Sequence, residues 1–312
     1  RYFNMNSQGI QLWTVPYSGY YTIEVGGARG GHASATGYGG GAGVKLVGDF
    51  KLTKGEVIKI LVGQIGGHFR YTGGGGGGTY VVKSDNTPLT VAGGGGGAGN
   101  SGGNGKNATF DNNGVVGHPG YSAGANGYGS SDTRNGGWGQ SGAGFRSDGN
   151  GRGGNSWNNG EVARGFVNGG AGAAQTGTDP NASCNGAWGG FGGGASGACD
   201  GGGGGGGYSG GGAGGGGGGS FNSGMNTNNL GTHNNDGYVK ITLNFFSVPR
   251  NAAIFTPSNI QSSYVVVMLF VMLSQDQYNY SHTRTPKRFK LKFGVHKVGL
   301  EQMLVEKWLC IR

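Results

Sequence analysis

Glu56–Lys83 reads EVIKILVGQIGGHFRYTGGGGGGTYVVK. Its two ends carry the β-branched and aliphatic residues of strands, and between them stands an unbroken glycine run, Gly73–Gly78. Such a run cannot be α-helix, because each glycine loses maximal backbone entropy there, and it cannot pack as a strand, because it has no side chains. It can order as a left-handed polyproline II helix whose free N–H and C=O groups find partners on neighbouring segments. Three further runs, Gly93–Gly97, Gly201–Gly207 and Gly214–Gly219, are of similar length, and glycine supplies 80 of the 312 residues. Six residues at about 3.1 Å each span roughly 19 Å, so the runs predict a side-by-side bundle held by backbone hydrogen bonds and Cα–H···O contacts.

Gly and Pro together exceed a quarter of the chain, a range that often signals disorder. The flanking blocks argue for a folded module instead: Gly9–Val15 (GIQLWTV), Tyr20–Val25 (YYTIEV), Val44–Leu52 (VKLVGDFKL), Glu56–Val62, Thr79–Lys83 and Pro88–Ala92 (PLTVA). All six predict strands, separated by turns at Pro16–Gly19 and Thr53–Gly55. Tyr21, Ile23 and Val25 alternate with Thr22 and Glu24, and Lys59 interrupts Val57–Leu61, so one buried and one wet face are expected. Residues 93–236 form a glycine-rich insertion, after which Gly237–Leu243 (GYVKITL) predicts a further strand sharing the same core. The expectation is a mainly β protein: an antiparallel β-sandwich from strands 9–92 and 237–243, within a domain spanning 1–245.

Residues 246–312 form a poorly defined tail of different composition, with only Gly294 and Gly299, and they hold nine Lys and Arg against three acids. Six of the nine net positive charges therefore lie there, and the domain is near neutral. Tyr264–Leu273 (YVVVMLFVML) is about ten residues where a membrane helix needs about 20, so it predicts a strand or irregular apolar segment rather than a span. The basic stretch Arg284–Lys292 reads as a solvated run rather than a nucleic-acid site. Beginning at Arg1 without a leader, the chain reads as a fragment.

Cys184 and Cys199 bracket the segment CNGAWGGFGGGASGAC; closing that loop would stabilise by roughly 3 kcal/mol in the chain-entropy model. A disulfide there, with Cys310 unpaired, competes with two free thiols. Asn107, Asn181 and Asn279 begin possible N-glycosylation sequons, which suit a secreted context.

In order, GIQLWTVPYSGYYTIEVGGARGG (Gly9–Gly31), KILVGQIGG (Lys59–Gly67), GGGGGGTYVV (Gly73–Val82), LTVAGGGGG (Leu89–Gly97), the Cys184–Cys199 segment with its AWGGFGGG centre and the run Gly201–Gly219 resemble the extracellular glycine-rich domain of the anaplastic lymphoma kinase and leukocyte tyrosine kinase receptors. The resemblance covers residues 9 to about 243. It implies a tumour-necrosis-factor-like sandwich carrying a polyproline II bundle, the Cys184–Cys199 pair, and a location on the extracellular side of the plasma membrane. It also implies binding of a small secreted, cytokine-like protein and ligand-induced pairing of two receptors.

Catalysis by the chain itself is not expected. The matches to G-x-S-x-G at Gly120–Gly124 and Gly207–Gly211 lack a strand–turn–helix context, and Gly105–Lys106 is followed by Asn107 rather than Ser or Thr. No kinase signature occurs, and the histidines His32, His68, His118, His233, His282 and His296 stand singly without metal-ligand spacing. No cofactor or metal is expected. The alternative to a receptor module is a secreted glycine-rich structural or ice-binding type of protein; binding of RNA through Arg29–Gly31 and Arg152–Gly154 leaves the strands unexplained. Recognition is expected on the sandwich, where Trp13, Tyr17, Tyr20 and Arg29 are candidates and Trp13 is better suited to packing, with the bundle acting as a bare spacer. On that view a remnant lacking residues 101–180 but keeping the strands and the cysteine loop, provided that it folds, retains ligand affinity within about an order of magnitude and loses pairing.

Overall fold

The computed structural model describes residues 3–6, 8–131, 139–151, 161–175, 185–244, 268–272 and 306–310. Among these the strands are β1 (Phe3–Met5), β2 (Gln11–Thr14), β3 (Gly19–Gly26), β4 (Gly43–Leu52), β5 (Val57–Leu61), β6 (Thr79–Lys83), β7 (Pro88–Ala92), β8 (Phe221–Asn222), β9 (Met225–His233), β10 (Tyr238–Asn244), β11 (Met268–Met272) and β12 (Glu306–Cys310). The only helical element among the described residues is a 3-10 turn at Phe166–Asn168. The protein is mainly β. One sheet has the order β1-β2-β5-β6-β7-β8, the other β12-β11-β10-β3-β4-β9, and every pairing is antiparallel except β11 with β12.

The strand that follows the insertion returns to the middle of the second sheet. β10 pairs with β3 along its whole length, from Tyr238 opposite Gly26 to Asn244 opposite Tyr20, and Val239, Ile241 and Leu243 join the common core. There they meet Tyr21, Ile23, Val25, Val44 and Phe50 of the second sheet and Trp13, Ile58, Ile60 and Val81 of the first. Alternation explains this face: each inward residue is followed by one that looks outward, as in β10 with its regularly alternating burial.

The first sheet departs from the expected wet outer face. Ile60 and Leu61 are both fully buried, as are Tyr80, Val81 and Val82. Its second face is covered by the insertion, which sets Phe145, Phe166 and Tyr208 against Leu61, Tyr80, Val82 and Val91. Phe145 and Phe166 stack at 5.2 Å between ring centroids, and Phe166 stacks on Tyr80 at 5.1 Å. Strands buried on both sides read as near-continuous apolar runs, which is what ILV and TYVV are.

Hydrogen-bond partners along the glycine runs recur every third residue. Gly73 and Gly76 donate to Ala98 and Gly95, Gly74 and Gly77 to Gly67 and Gln64, and Gly75 and Gly78 to Ala195 and Gly192, all at 2.8–2.9 Å. The carbonyls repeat likewise: Gly73 and Gly76 accept from Gly203 and Gly206, and Gly74 and Gly77 from Gly31 and Ala28. Gly203–Tyr208 follows the same rule, addressing in turn Gly73 and Gly76, Gln140 and Ala143, and Gly216 and Gly219. Each run thus faces different neighbours on its successive residues, and its backbone groups are satisfied without a sheet ladder.

Space, not handedness, demands glycine here. No residue of Gly73–Gly78, Gly93–Gly97 or Gly201–Gly207 has positive φ. A Cβ on Gly75 would instead stand 2.0 Å from the Gly204 carbonyl oxygen, and one on Gly97 2.0 Å from that of Gly73. Such oxygens are where the Cα hydrogens point, the geometry of Cα–H···O contacts.

Candidate functional surfaces

The sequence-predicted contact residues fall in three different places. Trp13 lies in the core, edge-on to Tyr21 at 5.5 Å. Tyr17 is 47% exposed on the turn between β2 and β3, and its carbonyl accepts the Tyr21 hydroxyl at 2.7 Å. With Phe3, Pro16 and Leu243 it borders a small apolar cleft. Tyr20 is half-buried at the same end, opposite Asn244 and Lys51. Arg29 lies past the other end of β3, roughly 25 Å away at strand rise, where its backbone carbonyl accepts from Gly66 at 3.1 Å. The four therefore do not make one surface.

The outer face of the second sheet is polar and internally bonded. Thr22 donates to Asp49 Oδ1 at 2.5 Å, Asn226 Nδ2 donates to Asp49 Oδ2 at 2.9 Å, and Asn244 Nδ2 donates to Thr22 at 2.9 Å. The Tyr238 hydroxyl donates to Glu24 at 2.5 Å; burial first, and then the Glu24 carboxylate, push this phenol well above its ordinary range.

The far end of the glycine runs is not bare. Three turns, 32–38, 68–72 and 99–103, reverse the runs there and are joined into a cap. Ser34 and Ala35 donate to the carbonyls of Phe69 and Arg70 at 3.0 and 2.7 Å, Asn100 donates to that of Tyr71 at 2.9 Å, and the Thr72 hydroxyl donates to that of Gly201 at 2.6 Å. On this frame His32 stacks on His68 at 4.6 Å between centroids with 11° between planes, and Arg70 lies over the Tyr71 ring at 5.0 Å. Burial, then His68 and Arg29, lower the pKa of His32. On the flank, the Trp188 ring lies across Gly67 and is 49% exposed. The runs are bare in their interior, but their ends and flank carry aromatic, histidine and arginine side chains.

Two histidines that stand singly in sequence are thus paired in space. The pairing was illegible because 36 positions separate them and only the parallel zipping of two turns brings them together. Among the described residues no group of three or more His, Cys, Asp or Glu could hold a metal ion, and no helix is long and apolar enough to cross a membrane. Asn107 is exposed, and its Oδ1 accepts the Ala42 N–H at 2.8 Å; Asn181 and Asn279 lie outside the described residues. Cys199 has a partner and a left-handed φ of 49°, whereas Cys184 and Arg152–Gly154 lie outside the described residues.

The class of protein so defined is an antiparallel, mainly β protein whose first sheet is roofed by a glycine-rich insertion. Comparison with protein-family models and with curated proteins found no match.

Proposed function

We propose that residues 1–245 are a non-catalytic extracellular module that binds a small secreted protein and pairs receptors, of the kind found in the anaplastic lymphoma kinase and leukocyte tyrosine kinase receptors. In this reading the two sheets are a tumour-necrosis-factor-like sandwich and the glycine runs are polyproline II helices. One observation carries it: hydrogen-bond partners that recur every third residue in Gly73–Gly78 and Gly203–Tyr208, as a helix of three residues per turn requires. Cys184 and Cys199 form the disulfide of the module, and Asn107 is open to glycosylation. The alternative of an ice-binding or structural protein calls for glycine faces turned to water, whereas these runs are buried.

Two experiments test the reading. Sequencing the transcript through and past the codons for 246–312 should find a membrane span and tyrosine kinase motifs in frame. A reading frame closing without a membrane span overturns the receptor assignment. Peptide mapping of secreted, unreduced protein should recover Cys184 and Cys199 in one crosslinked species; recovery of both as alkylated thiols removes the disulfide.

A further inference from the structure

We propose that the stacked His32–His68 pair is a pH-operated clasp that keeps the turns 32–38 and 68–72 zipped at neutral pH and loosens the cap in mildly acidic surroundings. The pair bridges the two turns at the place where they are joined, beside the hydrogen bonds from Ser34 and Ala35 to the carbonyls of Phe69 and Arg70. Two neutral imidazoles stack favourably; two imidazolium rings 4.6 Å apart repel.

The surrounding charges sharpen that response rather than cancel it. Arg29 stands on the run entering the first turn, Arg70 and Tyr71 follow His68, and Tyr38 closes the first turn. The carboxylates in this region are already engaged: Asp200 accepts from Asn100 Nδ2 at 3.2 Å, and Asp236 accepts from the Ile65 N–H at 2.8 Å. An ordinary imidazole titrates near pH 6.5, and a proton entering His32 is opposed by burial, by His68 and by Arg29. For a base held below its ordinary pKa in the folded state, the unfolded or opened form binds more protons. Closure is therefore full above about pH 6.5 and weakens as pH falls from there toward the folded-state value.

Amide hydrogen exchange on the whole chain, combined with histidine proton titration by NMR, tests the clasp. Between about pH 7.5 and about pH 5.5, protection factors at Ser34 and Ala35 should fall roughly fourfold, the size of a unit-charge repulsion at this separation in water, while those at Gly76 and Gly206 hold. In His68→Gln the titration of His32 should move upward and the pH dependence at Ser34 and Ala35 should vanish. Should His68→Gln fail to fold, His32→Gln must abolish the same dependence. Protection that stays flat in the unmodified protein, or a His32 titration indifferent to His68, overturns the proposal.

Discussion

At Gly75 a methyl group has nowhere to go. The oxygen and carbon of the Gly204 carbonyl would lie 2.0 and 2.4 Å from it, and both belong to backbone held by its own hydrogen bonds. Gly75→Ala should cost about 3 kcal/mol or more in urea denaturation, as overpacking without room for relaxation does. Gly102→Ala is the control, since its nearest atoms stand 3.7 and 3.8 Å off and its φ is not positive; that change should stay within about 1 kcal/mol. Equal effects at the two sites would mean that close approach does not explain the glycine. Tyr80 supplies a second residue-scale test. Its fully buried hydroxyl donates to the Gly207 carbonyl at 2.9 Å, and burial raises its pKa far above the phenol range. Unfolded tyrosine ionises near pH ~10, so the stability from Tyr80 is whole below that pH and declines above it. Alkaline absorbance titration should show late-ionising phenols, Tyr80 and the Glu24-bonded Tyr238 among them, with one fewer in Tyr80→Phe, a change that should cost about 1–2 kcal/mol.

Among the elements, the first sheet and its roof are one unit. The short 3-10 turn that delivers Phe166 ends at Gly169 in left-handed conformation and is braced by Asp148. That carboxylate accepts from the Gly165 N–H and Asn168 Nδ2, each at 2.8 Å, and from Arg164 Nη1 at 2.9 Å. Burial alone would raise the Asp148 pKa, but these donors together lower it. Its stabilisation is thus complete above about pH 4 and disappears as pH falls through the lowered value. Asp148→Asn should flatten the acid limb of the stability–pH curve, read from thermal midpoints; an unchanged limb assigns that limb to other carboxylates. Phe166→Ala should cost about 3–5 kcal/mol by opening a cavity over Tyr80. The same packing decides whether a chain lacking residues 101–180 can fold. Residues 101–180 contain Phe145, Phe166 and the Gln140 and Ala143 carbonyls that Gly204 and Gly207 address, so their deletion should leave no cooperatively folding remnant. Strand legibility followed side-chain pattern. β3 and β4 differ from the expected blocks only at their ends, whereas β9 (MNTNNLGTH) was missed because, exposed along nearly all its length, it has no buried face to impose alternation.

At the scale of the molecule, the sheets and the glycine runs have no seam between them. Tyr80 of β6 bonds to a run, Thr79 Oγ1 donates to the Gly26 carbonyl and accepts from the Gly63 N–H, Gly73–Gly78 runs directly into β6 and Gly93–Gly97 leaves directly from β7. Far-ultraviolet circular dichroism should therefore lose the signals of the sheets and of the glycine runs in one cooperative thermal transition. Separate midpoints for the two signals would show that runs and sheets fold independently.

What the sequence determined by itself is the local repertoire. Side-chain alternation marks strands wherever a face is buried, and glycine runs exclude helix and ladder alike, because both follow from each residue's own backbone freedom and apolarity. What only tertiary structure decided is which backbone meets which. Glycine has no side chain with which to encode a partner, so the order of the runs, the roof over the first sheet and the meeting of His32 with His68 follow from where the strands release and recapture the chain.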